Sequence, residues 1–134
     1  MIQGQSVVHE VIYPHPPERV WRALVDPDEL AAWLMPNDFV PVVGRKFTMS
    51  CDPYGTIEAE VLELDPPRQL SCRWVASFGQ TLVTMQLTPT DGGTRLRVEH
   101  RGWADTSTAD RDQFDHGWTE KLTTRLTAVL ATAA

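Results

Sequence analysis

Cysteine is nearly absent from this chain, with only Cys51 and Cys72 among 134 residues. Two thiols make no disulfide framework, and the opening residues lack the basic, apolar, small-residue pattern of an export signal. A cytoplasmic location is therefore expected. Cys72 alternates with Leu70 and Trp74 and reads as a buried structural thiol. Basic tracts are missing as well. Twelve Lys and Arg against eighteen Asp and Glu leave a net charge of −6, which opposes contact with nucleic acid and anionic membrane. No apolar run approaches the roughly 20 residues of a membrane-spanning helix, so membrane insertion is not expected.

Chemical motifs are scarce too. His9, His15, His100 and His116 are scattered without zinc-site spacing, and the aspartates follow no calcium-loop pattern. Gly92-Gly93 and Gly102 lie in no phosphate or dinucleotide motif, and Ser71 and Ser77 lack the context of a nucleophile elbow. No metal, cofactor or self-evident catalytic group is expected.

What the chain does contain is periodicity. Phe114, Trp118, Leu122, Leu126 and Leu130 recur every fourth residue, marking one face of a long final helix over 114–130. Val7–Tyr13 has strand composition, and Pro14-His15-Pro16-Pro17 ends it and opens a short helix carrying Val20, Trp21 and Leu24. Asp26-Pro27-Asp28-Glu29 reads as a helix start, with Asp26 as cap, Pro27 at the first position and Glu29 at the third. Leu30, Trp33 and Leu34 stripe that second helix, and Pro36-Asn37 stops it.

From Phe39 the pattern is mainly β. Phe39–Val42 is expected as a short edge strand, followed by strands over 46–50, 56–64, 70–74, 81–87 and 94–100. Asp91-Gly92-Gly93 is a hairpin signal. Alternation of Leu96, Val98 and His100 against Arg95, Arg97 and Glu99 fits antiparallel pairing with one wet face. The same logic turns Ile57, Ala59 and Val61 inward and Glu58 and Glu60 to solvent. The expected fold class is α+β, a curved antiparallel sheet gripping a long C-terminal helix, with two short helices after the first strand. One domain over residues 1–134 accounts for it.

Several ordered segments resemble one family. They include Val20-Trp21-Arg22-Ala23-Leu24, Asp26-Pro27, Trp33-Leu34 and Val43-Gly44-Arg45-Lys46-Phe47. Glu60 to Pro67, Leu70, Trp74, Gly93-Thr94-Arg95-Leu96, His100-Arg101-Gly102-Trp103 and Gly117-Trp118 continue the match across nearly the whole chain. Together they resemble the activator-of-heat-shock-protein-ATPase homologues of the START-related SRPBCC superfamily. The resemblance implies a helix-grip fold with a cavity between sheet and helix, in a group that includes hydrophobic-ligand binders, aromatic polyketide cyclases and stress-associated proteins. Eukaryotic chaperone activators carry a related C-terminal domain after a further domain, for which 134 residues are expected to leave no room. The label alone therefore does not imply chaperone activation.

Trp33, Phe39, Met49, Trp74, Met85, His100, Trp103, Phe114 and Trp118 form the candidate ligand-binding group. Helix periodicity supports Phe114 and Trp118, strand alternation supports Met49, Trp74, Met85 and His100, and the resemblance supplies their common cavity. The competing reading is that these residues complete the core, which is the safer default at Phe114 and Trp118 and decisive at Trp21 and Leu24. His100 would orient a carbonyl or phenol, or act as a general base; a satisfied structural histidine is the stronger expectation. The expected function is noncovalent binding or transport of a small hydrophobic or aromatic molecule. One alternative is a cyclase- or hydratase-like enzyme using His100. Another is a chaperone-associated module presenting Phe39, Trp103 or the loops as an exposed apolar patch. A homodimer and a chaperone partner stay open.

Overall fold

The architecture follows from a few strong local signals. The computed structural model describes residues 6–104 and 107–132. Strand β1, Val7–Tyr13, ends at the proline cluster, and helix α1, Pro17–Val25, begins with proline where a missing N–H matters least. Asp26 then serves two helices. Its N–H donates to the Arg22 carbonyl at 2.9 Å, closing α1. Its carboxylate accepts from the Glu29 N–H at 2.9 Å, opening α2, Pro27–Trp33. One residue thereby makes the corner between the helices, as the Asp26-Pro27-Asp28-Glu29 spacing predicts.

Five more strands follow: β2 (Lys46–Cys51), β3 (Gly55–Asp65), β4 (Gln69–Ala76), β5 (Gly79–Thr90) and β6 (Gly93–Arg101). They form one sheet in the order β1-β6-β5-β4-β3-β2, antiparallel throughout. Gly92 turns the β5–β6 hairpin at φ +82°, and a Cβ on Gly93 would overlap the Tyr13 carbonyl, so glycine is required there. The inner face carries Ile57, Val61, Trp74, Met85, Val98 and His100, all buried. On the outer face Glu60 pairs with Arg73 at 2.7 Å, while Glu58 is exposed.

Phe39–Val42 forms no strand, contrary to expectation. The place beside β2 is taken by Pro36–Asp38 instead. The Ser50 N–H donates to the Pro36 carbonyl at 3.0 Å, and the Thr48 N–H to the Asp38 carboxylate at 2.6 Å. Pro41 has no N–H to offer a ladder, and Phe39 turns inward, edge-on to Phe47 at 4.9 Å.

The final helix is longer than its stripe and is not uniform. Helix α3, Thr108–Glu120, leads into a π turn, Lys121–Arg125, and then α4, Leu126–Ala131. A reason lies in the period of four. At 3.6 residues per turn, each step of four overshoots a full turn by about 40°. A strict stripe of fours would therefore drift off one face, and the wider π turn takes up the excess. All five stripe residues, Phe114 to Leu130, are accordingly buried.

Tyr13 supports this widened turn. Its hydroxyl donates to the Leu122 carbonyl at 2.6 Å in a buried site. Tyr13→Phe removes that donor while keeping the ring, and is expected to cost about 1–3 kcal/mol. Urea denaturation checks this; a change below about 0.5 kcal/mol would show that the carbonyl needs no protein partner.

Candidate functional site

Two structures meet between the helices and the sheet. The first is an apolar cavity of about 20 Å³, room for one water-sized molecule. Helices α1 and α2 contribute Leu24 and Leu30, the following loop Leu34 and Phe39, and the sheet Met49, Trp74 and Met85. Cys72 also lines it, and burial pushes its thiol up to about 12, so the wall carries no charge near neutral pH. A cavity that holds an organic ligand usually offers ~300–1,000 Å³. The state described is therefore closed.

The second structure is an aromatic cluster under α3. The Trp118 indole stacks on Trp74 with centroids 5.8 Å apart, and Phe114 stacks on Tyr54 at 5.3 Å. Phe78 packs against Trp103 and Phe114 at 5.2 and 5.3 Å. Trp74 is common to both structures and forms the wall between them.

His100 sits inside this cluster, fully buried. An indole N–H only donates, so the 3.1 Å contact from Trp118 Nε1 makes His100 Nδ1 an acceptor. The ring proton is then on Nε2, which donates to Thr81 Oγ1 at 2.8 Å. The Thr81 hydroxyl in turn donates to the Trp74 carbonyl at 3.3 Å, and the Trp103 indole donates to the His100 carbonyl at 3.1 Å. Every polar atom of the ring has a partner. Burial lowers the imidazole pKa from 6.5 to about 3, so the ring is neutral. With both nitrogens engaged, His100 has no free position from which to take a substrate proton.

The nine sequence-predicted residues thus divide between the two structures. Phe39, Met49, Trp74 and Met85 line the cavity, whereas His100, Trp103, Phe114 and Trp118 join the cluster. Trp33 faces Trp118 at 6.5 Å and spends its indole N–H on the Ala23 carbonyl, 2.8 Å away. Phe39 and Trp103 are buried, so neither builds an exposed apolar patch. Periodicity missed Tyr54 and Phe78 because both lie in turns. A large aromatic placed among turn residues is itself a signal, since only packing rewards it there.

Polar contacts flank α3. His9 Nε2 lies 2.7 Å from Asp115 Oδ1 on the β1 side. On the other side the Tyr54 hydroxyl lies 3.1 Å from Asp110 Oδ1 and 3.0 Å from Gln113 Oε1. Larger depressions of about 370 and 420 Å³ occur on the outer sheet face, but they are open, and their lining mixes apolar side chains such as Val75 and Leu82 with polar pairs such as Glu60–Arg73 and Ser71–Thr84. Among the described residues no helix is long and apolar enough to cross a membrane, and no three His, Cys, Asp or Glu are placed to share a metal.

Comparison with known proteins agrees with this geometry. No curated protein matches the chain. The solved structure of protein MLL2253 from Mesorhizobium loti is 36% identical and superposes with a TM-score of 0.90, covering 96% of this chain and 98% of the other. Protein BH1534 from Bacillus halodurans is 27% identical, with a TM-score of 0.81 and coverage of 93% and 96%. DynU16, from the dynemicin biosynthetic locus, is 25% identical with a TM-score of 0.83; the match covers 96% of this chain but 48% of that one. These are SRPBCC-fold neighbours. The pattern of the family described as Activator of Hsp90 ATPase homolog 1-like protein matches residues 14–131, nearly the whole chain, and the chain belongs to that family.

Proposed function

We propose that this protein binds a small apolar or aromatic molecule between its helical pair and its sheet. The observation that carries the reading is the uncharged cavity bounded by Leu34, Phe39, Met49 and Met85. Its walls offer dispersion and desolvation, worth about 0.8 kcal/mol per buried methylene, and no ionic anchor. Methionine side chains adapt to irregular guests and favour contacts with aromatic rings. Binding at this position requires α2 and the 34–45 loop to move outward, because the closed volume admits no organic ring. The likeness to DynU16, a protein of the dynemicin biosynthetic locus, supports a small organic ligand. The engaged state of His100 favours binding over proton-transfer chemistry.

Titration with benzene and naphthalene, followed by methionine-methyl NMR, tests the reading. Saturable shifts at Met49 and Met85 are expected, and shifts that never saturate or fall elsewhere would overturn it. Met85→Ala is a second check. It is expected to destabilise the fold by about 3 kcal/mol and to tighten benzene binding by enlarging a dry cavity. A destabilised variant with no gain in benzene uptake would argue that the site collapses rather than opens.

A further inference from the structure

The two halves of the last helix are held in different ways. The C-terminal half buries Leu122, Leu126 and Leu130 almost completely. It is also bonded through its backbone, by Tyr13 to the Leu122 carbonyl and by Arg19 Nη2 to the Val129 carbonyl at 2.9 Å. The N-terminal half, Thr108–Glu120, buries only Phe114 and Trp118. It carries Gly117 in its interior, where glycine weakens a helix. It is fastened through side chains, among them those of Asp115 to His9 and of Asp110 and Gln113 to Tyr54, while Ser107 just ahead of it donates to the Phe78 carbonyl at 3.1 Å. Between the halves lies the π turn Lys121–Arg125, a break in the regular ladder.

The side chains that this half inserts are shaped like a guest. Trp118 lays a flat ring on Trp74 and gives one N–H to His100 Nδ1. When Trp118 leaves, the cluster keeps the Trp74 face, and His100 Nδ1 is a buried acceptor with no donor. Such a site demands a ring that carries an N–H or O–H, because a ring without one leaves the nitrogen unpaired. We propose that Thr108–Glu120 is a hinged lid, turning about Lys121–Arg125, and that Trp118 occupies a site for planar aromatic molecules bearing a hydrogen-bond donor. The occupant rests on the ligand-binding reading above; the hinge does not. Because the lid must open first, the apparent affinity is reduced by the closed fraction.

Hydrogen exchange of the whole protein, with and without indole, tests both parts. Without ligand, amides of Thr108–Glu120 should exchange at least about tenfold faster than those of Leu126–Ala131. Gly117→Ala should slow the lid about fivefold, since a Cβ there meets only ordinary contact with Lys121 Nζ at 3.5 Å. Tyr54→Phe with Asp115→Asn should speed it about fivefold or more. Saturating indole should accelerate lid exchange while leaving Leu126–Ala131 unchanged, at a concentration about tenfold below that of 1-methylindole. Equal exchange in both halves overturns the hinge. Indole binding that slows the lid, or leaves it unchanged while shifting the Met49 and Met85 methyls, overturns the Trp118 site and leaves the cavity reading standing. A lid that opens but does not respond to indole also overturns the site. Loss of every ligand effect, at lid and methyls alike, removes the binding reading as well.

Discussion

Trp118→Ala is expected to lower the free energy of unfolding by about 3–5 kcal/mol, read from urea denaturation midpoints at constant slope. Two effects add at this site. The indole is 1% exposed and stacks on Trp74, so its removal opens a large void that the rigid sheet cannot fill. Its N–H also donates to His100 Nδ1 at 3.1 Å, and among the described residues no other donor meets that nitrogen. Trp118→Phe separates the two, keeping most of the ring packing and losing the N–H. It should cost about 1–3 kcal/mol, the usual penalty for a buried polar atom left without its partner. Moving the proton between the ring nitrogens gives no escape. If Nδ1 carries it, a donor rather than an acceptor is left unmet. A phenylalanine variant as stable as the native protein would remove Trp118 from the polar network and leave it as packing alone.

The same residue shows what the sequence could reveal. The stripe from Phe114 to Leu130 was readable because a helix face repeats locally, and all five of its residues are buried. Asp26 as a double cap and the Asp91-Gly92 hairpin were readable for the same reason, since their bonds span three or four residues. The partner of His100 was not, because Trp118 is 18 residues away and Thr81 is 19. Alternation tells which face of a strand turns inward; it does not tell what fills the interior opposite. Met49 and Met85 therefore share their inward direction with His100 but look into a different space. The clasp of His9 on Asp115 joins residues 106 apart and leaves no local trace. The loop after α2 has the composition of a strand in Phe39 and Val40, while the bonds of Pro36 and Asp38 to β2 depend on tertiary placement and leave no local signal.

Acid should weaken this protein through His100. In the unfolded chain a histidine takes up its proton near pH 6.5. In the folded chain burial holds His100 neutral until about pH 3. Between those values the unfolded state binds the extra proton, so stability falls as pH falls. The contribution is fully present above about 6.5 and is lost as pH drops through the folded value. Well below 6.5 the slope approaches about 1.4 kcal/mol per pH unit, and the total loss approaches about 5 kcal/mol near pH 3. Urea unfolding should thus show a loss of about 3 kcal/mol from this group between pH 7.5 and 4.5. His100→Gln isolates it, because an amide can accept from Trp118 and donate to Thr81 without titrating. The variant should pay a fixed packing cost at pH 7.5 and lose about 3 kcal/mol less than the native protein on descending to pH 4.5. Parallel pH profiles for the two proteins would mean that His100 is not held neutral. That result would also reopen acid–base chemistry, since a general base must hold its proton near the working pH, which a ring protonating only near pH 3 does not.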